Sequence, residues 1–196
     1  MARTVDPVKH AARRAHIIDA AMTCFAAGGV AATTTAAICA QAGVGSGTFF
    51  HYFPTKTDVL VAILEVGTEQ TREWFSDRGP RDDPRAVVLD WVRHTADTAA
   101  DVRVPGFIRA VGAVMAEPAV AEALAADDRA QHTGLRDVVR RAQQRGCMRR
   151  DLPAPELATW VMVLLDGFLS RLATDPAFLV DAERERLVDA VTRLID

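Results

Sequence analysis

The residues with the most distinctive chemistry lie between positions 45 and 53. Gly45-Ser46-Gly47-Thr48 has almost no side-chain bulk, and an aromatic-rich stretch follows it directly. Small residues let a backbone approach a second surface closely. Phe49 and Phe53 are four positions apart, so they share one face of a helix. The segment therefore predicts a short helix that is anchored by Phe49 and Phe53 and keeps Phe50, His51 and Tyr52 partly outward.

The preceding residues predict a second short helix and a tight turn. Ile38 and Ala42 can face inward, Gly43 can adopt the positive φ of the turn, and Val44 can fill the junction. Two short helices joined by such a turn form a helix-turn-helix, whose second helix enters the major groove of DNA. The spacing thus favours a DNA-binding head.

The distribution of charge supports this interpretation. The chain has a formal net charge of −3, yet residues 1–56 carry five basic and two acidic side chains, a charge of +3. The remainder carries 18 basic and 24 acidic groups, a charge of −6. A positive head on a negative body suits a protein that presents one end to phosphate.

The segment TTTAAICAQAGVGSGTFFHYFPTKTDVLVAIL resembles the DNA-binding signature of the TetR family of bacterial regulators, in register from about Arg14 to Leu64. The resemblance implies phosphate contacts at Thr35 and Lys56, and base-edge or backbone contacts at the start of the recognition helix. Phe50 stands where the family commonly has tyrosine, so an apolar contact, such as one to a thymine methyl, replaces a hydroxyl contact. The predicted DNA-binding residues are Thr35, Ser46, Gly47, Thr48, Phe50, His51, Tyr52, Lys56 and Arg14, with Arg13 as a further phosphate contact.

Each of these residues also has a simpler interpretation. Thr34 and Thr35 can serve only as helix caps, His51 can be exposed without a partner, and Arg13 and Arg14 can be solvated charges. A lysine at position 56 opposes the dipole of the next helix by about 0.3–1 kcal/mol. A nearby phosphate would offset that cost, which is a physical reason to expect one.

The rest of the chain predicts an all-α fold of about nine helices. After the helix beginning at Ala11 and the helix-turn-helix, we expect helices near 55–75, 84–101, 105–116, 118–145, 154–174 and 181–195, bounded by glycines and prolines. The predicted domains are a three-helix DNA-binding head (1–56), a connecting helix (about 56–77) and an effector-binding and dimerisation domain (78–196). Gly79 to Pro84 is the clearest linker.

The helix containing WVMVLLDGFLSRL is apolar nearly all round and must be covered on more than one side. The family resemblance implies that the last two helices pair across a two-fold axis, and a monomer that buries the same residues internally is the alternative. The predicted dimer interface consists of Leu157, Val161, Leu164, Phe168, Leu187, Val191 and Leu194.

The resemblance also implies a ligand cavity among the middle helices. Its candidate lining residues are Trp91, His94, Phe107, Val111, Met115, Trp160, Met162 and Asp166, although each apolar member can equally be ordinary core and Asp166 can pair with an arginine. Mostly apolar walls predict a small hydrophobic or amphipathic effector.

Other classes of protein are disfavoured. There is no glycine-rich phosphate loop, nucleophile elbow or HExxH motif, and Cys24, Cys39 and Cys147 lack metal-ligand spacing. We therefore expect no catalytic site, metal or cofactor. No apolar run resembles a membrane span or signal peptide, which predicts a cytoplasmic protein. The leading prediction is a dimeric repressor of a pseudo-palindromic operator, released by its effector; an activator or an all-α adaptor that does not touch DNA is the alternative.

Overall fold

The computed structural model describes residues 6–78 and 83–196. Over those ranges the chain forms helices and no strand, which confirms the all-α prediction. The helices are α1 (Pro7–Ala32), α2 (Thr35–Gln41), α3 (Ser46–Tyr52), α4 (Lys56–Arg78), α5 (Pro84–Ala99), α6 (Val104–Gly112), α7 (Pro118–Arg145), α8 (Ala154–Thr174) and α9 (Val180–Ile195). Residues 79–82 of the predicted linker lie outside the described residues.

Helix α1 begins one turn earlier than the sequence analysis predicts. The carboxylate of Asp6 accepts a hydrogen bond from the backbone N–H of Val8 (3.1 Å), and Pro7 occupies the first turn. An N-cap followed by proline is a strong start signal, so placing the start at Ala11 was wrong. At the other end, Gly29 has a φ of +75°, which interrupts the helix where the glycine pair predicts a stop.

A capping box forms the start of α4. The backbone N–H of Thr55 donates to Oδ2 of Asp58 (2.8 Å), and the backbone N–H of Asp58 donates to Oγ1 of Thr55 (3.2 Å). These reciprocal bonds satisfy donors that a helix start leaves free. They fix the point at which the chain leaves the head and enters α4.

Two apolar cores divide the molecule, and α4 belongs to both. The first core joins the inner faces of α1, α2, α3 and the start of α4 to Ala110, Val111 and Val120. The second joins the end of α4 to α5, α7, α8 and α9. Helix α4 places Val59 and Leu60 in the first core and Trp74 and Phe75 in the second.

Helices α1 and α8 are long and apolar enough, by length and composition alone, to cross a membrane. The statement that no apolar run resembles a span was therefore too strong. Each helix places an apolar stripe in one of the two cores, with Ile17 and Phe25 from α1 and Leu157 and Leu165 from α8 fully or almost fully buried. Packing inside the bundle thus accounts for one apolar stripe of each helix.

Candidate DNA-binding face and internal cavity

Helix α3 is anchored on one side and open on the other. Phe49 and Phe53 are 0% and 2% exposed, as their spacing predicts, while Phe50 on the opposite side is 51% exposed. The small residues Ser46, Gly47 and Thr48 that begin the helix are also exposed. The predicted base-reading residues thus form one continuous exposed surface.

The turn before α3 has the predicted geometry. Gly43 has a φ of +57°, and Ile38 and Ala42 are buried beneath it. From α1, Nε2 of His16 donates a hydrogen bond to the carbonyl oxygen of Ala42 (3.0 Å). His16 was not predicted as a site residue; its role is to hold the turn against α1 and so fix the direction of α3.

The first two turns of α1 complete a groove beside α3; Arg13 was predicted there, whereas Lys9 and His10 were not. Lys9, His10 and Arg13 line the groove together with Thr48 and His51. The His10 ring centroid lies 5.9 Å from that of His51. The Asp6-Pro7 pair in the sequence is the signal for the earlier helix start. A helix that begins there places Lys9, His10 and Arg13 on one face.

Two further predicted contacts lie beside this groove. Tyr52 is half-buried, and its ring centroid lies 4.6 Å from that of His10. The guanidinium of Arg14 lies over the Phe53 ring, 5.3 Å from its centroid. Both residues therefore brace the end of α3 against α1 as well as standing beside the exposed surface.

The threonines before α2 divide into two roles. Thr34 is the N-cap, since its Oγ1 accepts a hydrogen bond from the backbone N–H of Ala37 (3.1 Å). Thr35 is the first residue of α2 and is half-exposed. This division agrees with Thr34 as a cap and leaves the Thr35 hydroxyl as the candidate phosphate contact.

The structure gives Lys56 a different partner from the predicted phosphate. Its ammonium donates to the carbonyl oxygens of Val30 (2.7 Å), Ala31 (3.0 Å) and Thr33 (3.1 Å). These three bonds use all three donors of the ammonium. The end of α1 is the negative end of that helix's dipole, so it offsets the unfavourable position of Lys56 at the start of α4. The dipole at the start of α4 therefore gives no reason to expect a phosphate beside Lys56.

A cavity of about 640 Å³ opens between α4, α5, α6, α7 and α8. This volume lies within the usual range for small-molecule sites. Trp91, His94 and Phe107 line it as predicted, together with Trp74 and Asp127, which the prediction missed. Helix α4 was interpreted only as a connection, and for that reason its inner face was overlooked.

The other five predicted cavity residues lie elsewhere. Val111 is buried in the first core and Met162 in the second, while Met115 follows the end of α6 and is 57% exposed. Trp160 is 51% exposed on α8. Asp166 is exposed on α8 and outside the cavity lining. Helix count and composition do not fix the rotation of each helix, which decides whether a side chain meets a cavity, a core or solvent.

The fixed charges on the described lining residues of the cavity are acidic. Glu73, Asp77 and Asp127 line it, and none of the described lining residues is lysine or arginine. Burial raises the pKa of Asp127, and Asp128 adds to that effect. Burial and the nearby Arg78 lower the pKa of His94, so this imidazole is neutral at neutral pH. The described lining residues of the cavity thus present carboxylates, with Arg78 nearby over the Trp74 ring.

One donor in the cavity wall lacks a partner. Nε1 of Trp91 is buried and has no hydrogen-bond acceptor among the described residues. An unsatisfied buried donor costs about 1–3 kcal/mol. A bound molecule with an acceptor at this position would recover that free energy.

Helix α6 joins the cavity to the head. Phe107 and Ile108 line the cavity. One turn earlier, the guanidinium of Arg103 donates to Oδ1 of Asp19 (2.7 Å) and to Oγ1 of Thr23 (3.1 Å) on α1. One short helix therefore touches the cavity on one side and α1 on the other.

The structure corrects five of the seven residues predicted for the dimer face, and Leu164 and Leu194 stay predictions. Leu157, Val161, Phe168, Leu187 and Val191 are buried in the second core of their own chain, and Leu164 and Leu194 pack partly against it. The outward face of α8 instead carries Trp160 and Val163, 51% and 46% exposed. The alternation of buried and exposed residues along α8 follows the helical repeat, but an apolar sequence on all sides does not show which stripe faces inward.

Comparisons with known proteins agree with both parts of the fold. The family model described as "Bacterial regulatory proteins, tetR family" matches residues 17–63, and "BetI-type transcriptional repressor, C-terminal" matches residues 80–196. The HTH-type transcriptional repressor Rv1474c of Mycobacterium tuberculosis is 30% identical over 170 residues, covering 84% of each chain. The HTH-type transcriptional repressor AcnR of Corynebacterium glutamicum is 27% identical, covering 93% of this chain and 94% of that protein.

Among solved structures, the SmeT–triclosan complex has a TM-score of 0.82 at 23% identity, covering 94% of this chain and 92% of that chain. This likeness extends over head and body and agrees with the fold. Since one family model matches the helix-turn-helix and a second matches more than half of the chain, this protein belongs to the TetR family of bacterial transcriptional regulators.

Proposed function

We propose that this chain is a ligand-responsive transcriptional repressor that binds a pseudo-palindromic operator as a dimer and is released by a small hydrophobic or amphipathic effector. The observation that carries the proposal is the exposed surface of Ser46, Gly47, Thr48 and Phe50 on a helix anchored from behind. A surface of this kind supports entry of α3 into the major groove. Binding to chromosomal DNA would place the protein in the cytoplasm.

The groove beside α3 supports contacts to the DNA backbone. Lys9 and Arg13 are exposed cations on α1, and His51 is exposed on α3. Phosphate contacts of this type supply affinity for any sequence and make binding depend on salt. We therefore assign sequence preference to α3 and much of the salt dependence to α1, with Thr35 as a further phosphate contact.

The test is binding of the purified protein to a DNA fragment from beside its own gene, at several salt concentrations and against unrelated DNA. Arg13→Ala is expected to reduce the slope of log K against log salt by about one. Arg186→Ala, an exposed arginine on α9, is the matched control and leaves the slope unchanged. Thr48→Ala is expected to change sequence preference more than nonspecific affinity.

The outcomes separate the hypotheses. Specific, salt-dependent binding establishes the regulator. If neither this fragment nor DNA selected from a random pool is preferred, the chain is instead an adaptor or a ligand-binding protein. An unchanged salt slope in Arg13→Ala removes the role assigned to α1 without touching that assigned to α3.

A dimer follows from the size of the recognition helix. Helix α3 has seven residues, and a helix this short reads only a few base pairs. Two heads about 34–36 Å apart would read half-sites one helical turn from each other. The outward face of α8 is the surface that supports pairing, because Trp160 and Val163 are exposed one turn apart on the same helix and can form an apolar patch for a partner to cover.

Release by an effector follows from the position of the cavity. Helices α4 and α6 line it, α4 continues from the helix-turn-helix, and α6 is bonded to α1 through Arg103. A ligand releases DNA only to the extent that it binds a second conformation more tightly. Shifts of α4 and α6 around an effector would change the separation of the two heads, so that they no longer match successive grooves.

A further inference from the structure

Two of the five helices that border the effector cavity, α4 and α7, also form a second cleft with other residues. It lies between α4 and α7, has a volume of about 490 Å³, and is lined by Arg72, Arg129 and Arg141. Among the described residues, the lining of the effector cavity has only acidic fixed charges, whereas that of this cleft has three guanidinium groups and one carboxylate. We propose that the cleft between α4 and α7 is a binding site for a small polyvalent anion, held by these three arginines.

Arg141 is the strongest sign of a ligand. Its Nε and Nη2 atoms are both buried, and neither has a hydrogen-bond acceptor among the described residues. A guanidinium stays charged throughout the range in which proteins fold. Burying part of a charge without a partner is unfavourable, so an acceptor that reached this group would bind with a large gain.

The other two arginines are accessible to the same occupant. Arg129 is exposed and forms no ion pair with any of the residues the structure describes. At the surface, Nη1 of Arg72 donates a hydrogen bond to Oε2 of Glu69 (3.1 Å). Its remaining donors are available, since a guanidinium carries five N–H groups.

The carboxylate in the lining does not neutralise Arg141. Asp137 is one turn before Arg141 on α7, but its Oδ1 accepts hydrogen bonds from Nε of Arg136 (3.0 Å) and Nη1 of Arg140 (3.3 Å). This carboxylate is thus shared between two arginines other than those proposed to hold the anion. The cleft retains an excess of positive charge.

Close packing of α4 on α7 holds the arginines together. A Cβ atom at Gly134 would lie 2.3 Å from Cδ2 of Phe75, so only glycine permits this approach. Ser76 and Thr133 add hydroxyl donors to the lining. Planar guanidinium forks and hydroxyls suit phosphate or carboxylate oxygens, and an anion held from both helices would fasten α4 to α7.

The experiment measures anion binding by the full-length protein without DNA. Inorganic pyrophosphate and tricarballylate are titrated calorimetrically and in thermal unfolding, against sodium chloride of equal ionic strength; the two probes distinguish phosphate from carboxylate as the preferred group. We expect saturable binding of at least one probe and a Tm that rises with its concentration, as binding to the folded state requires. No saturable heat with either probe overturns the proposal.

Variants locate the site. Arg141→Met is expected to raise the Tm of the anion-free protein, because an unsatisfied buried charge is removed, and to abolish the increment given by the anion. Arg129→Met is expected to lose most of the rise in Tm that the anion gives, with little change in the anion-free Tm. If Arg141→Met does not fold, Arg129→Met alone tests the position of the site. Arg13→Met, in the DNA-binding groove, and Arg186→Met, on α9, retain the increment. A rise in Tm with the anion that survives in both Arg141→Met and Arg129→Met overturns the proposal.

Discussion

The Cα atom of Gly106 on α6 packs directly against the main-chain carbonyl of Ala26 on α1. A Cβ atom at position 106 would lie 2.2 Å from that carbonyl oxygen and 3.0 Å from its carbon. No real Cβ atom approaches backbone this closely, and backbone cannot swing aside as a flexible side chain can. Together with the Arg103–Asp19 ion pair, this contact fixes the head to the helix that lines the effector cavity.

Gly106→Ala is therefore expected to force α6 away from α1. We expect the free energy of unfolding to fall by about 1–3 kcal/mol, which is typical of overpacking, and the Tm to fall by several degrees. The matched control is Gly112→Ala on the same helix, where a Cβ atom meets nothing within 4 Å. If Gly106→Ala keeps the wild-type Tm while Gly112→Ala is also silent, the close approach of α6 to α1 is not a feature of the folded protein.

Lys56→Met is expected to lower stability and to leave the salt slope of DNA binding unchanged. The ammonium donates hydrogen bonds to three carbonyl oxygens at the end of α1. Loss of hydrogen bonds from a charged group lowers the free energy of unfolding by about 1.5–3 kcal/mol. Thermal unfolding and binding at several salt concentrations measure the two effects. Lys9→Met, on the exposed groove, is expected to behave in the opposite way: unchanged Tm and a flatter salt dependence. A flatter slope in Lys56→Met would restore the phosphate contact.

Val163→Arg is expected to convert a dimer to a monomer without unfolding it. Val163 lies on the outward face of α8 and is 46% exposed in the single chain, so the arginine meets no core. Sedimentation or light scattering gives the molar mass, and circular dichroism checks the fold. Val102→Arg, at a highly exposed valine between α5 and α6, is the control and remains dimeric. A dimeric Val163→Arg protein would move the interface to another surface.

The charge of the effector is expected to matter more than its shape. Glu73, Asp77 and Asp127 line the cavity without a lysine or arginine among the described lining residues. Carboxylates attract a cation and repel an anion. Tetraphenylphosphonium should therefore quench the intrinsic tryptophan fluorescence at lower concentration than the isosteric anion tetraphenylborate, by tenfold or more. Asp127→Asn should reduce the difference between the concentrations at which the two ions quench the fluorescence. Equal binding of the two ions would show that the carboxylates do not select the ligand.

The pH dependence of stability should change in the same variant. Burial is the main cause that raises the pKa of Asp127 above its ordinary value of 3.8, with Asp128 adding to it, and Gln131, Thr68 and Arg72 acting against it. The folded state then holds the proton more tightly than the unfolded state. The contribution of this carboxyl to stability is complete below pH 3.8 and is lost as the pH rises through the higher folded-state pKa. Asp127→Asn should thus raise the Tm at neutral pH and have little effect in acid; an equal gain at both would assign the effect to packing.

Local patterns in the sequence determined the helices and the head. The turn glycine at Gly43, the anchor pair Phe49 and Phe53, and the capping box of Thr55 with Asp58 each depend on neighbours within four residues. Such short-range requirements can be read without knowing what packs where. The all-α fold, the α3 surface and the family followed from them.

Only the tertiary structure decided what each side chain meets across the molecule. Lys56 faces the end of α1, 23 to 26 positions earlier in the chain. Trp160 faces outward and Leu157 inward on one uniformly apolar helix. The linings of the cavity and of the arginine cleft depend on which faces of α4 and α7 pack against each other. These relations depend on how helices dock, and docking is set by the summed packing of many side chains, so no local pattern encodes the partner of any one of them.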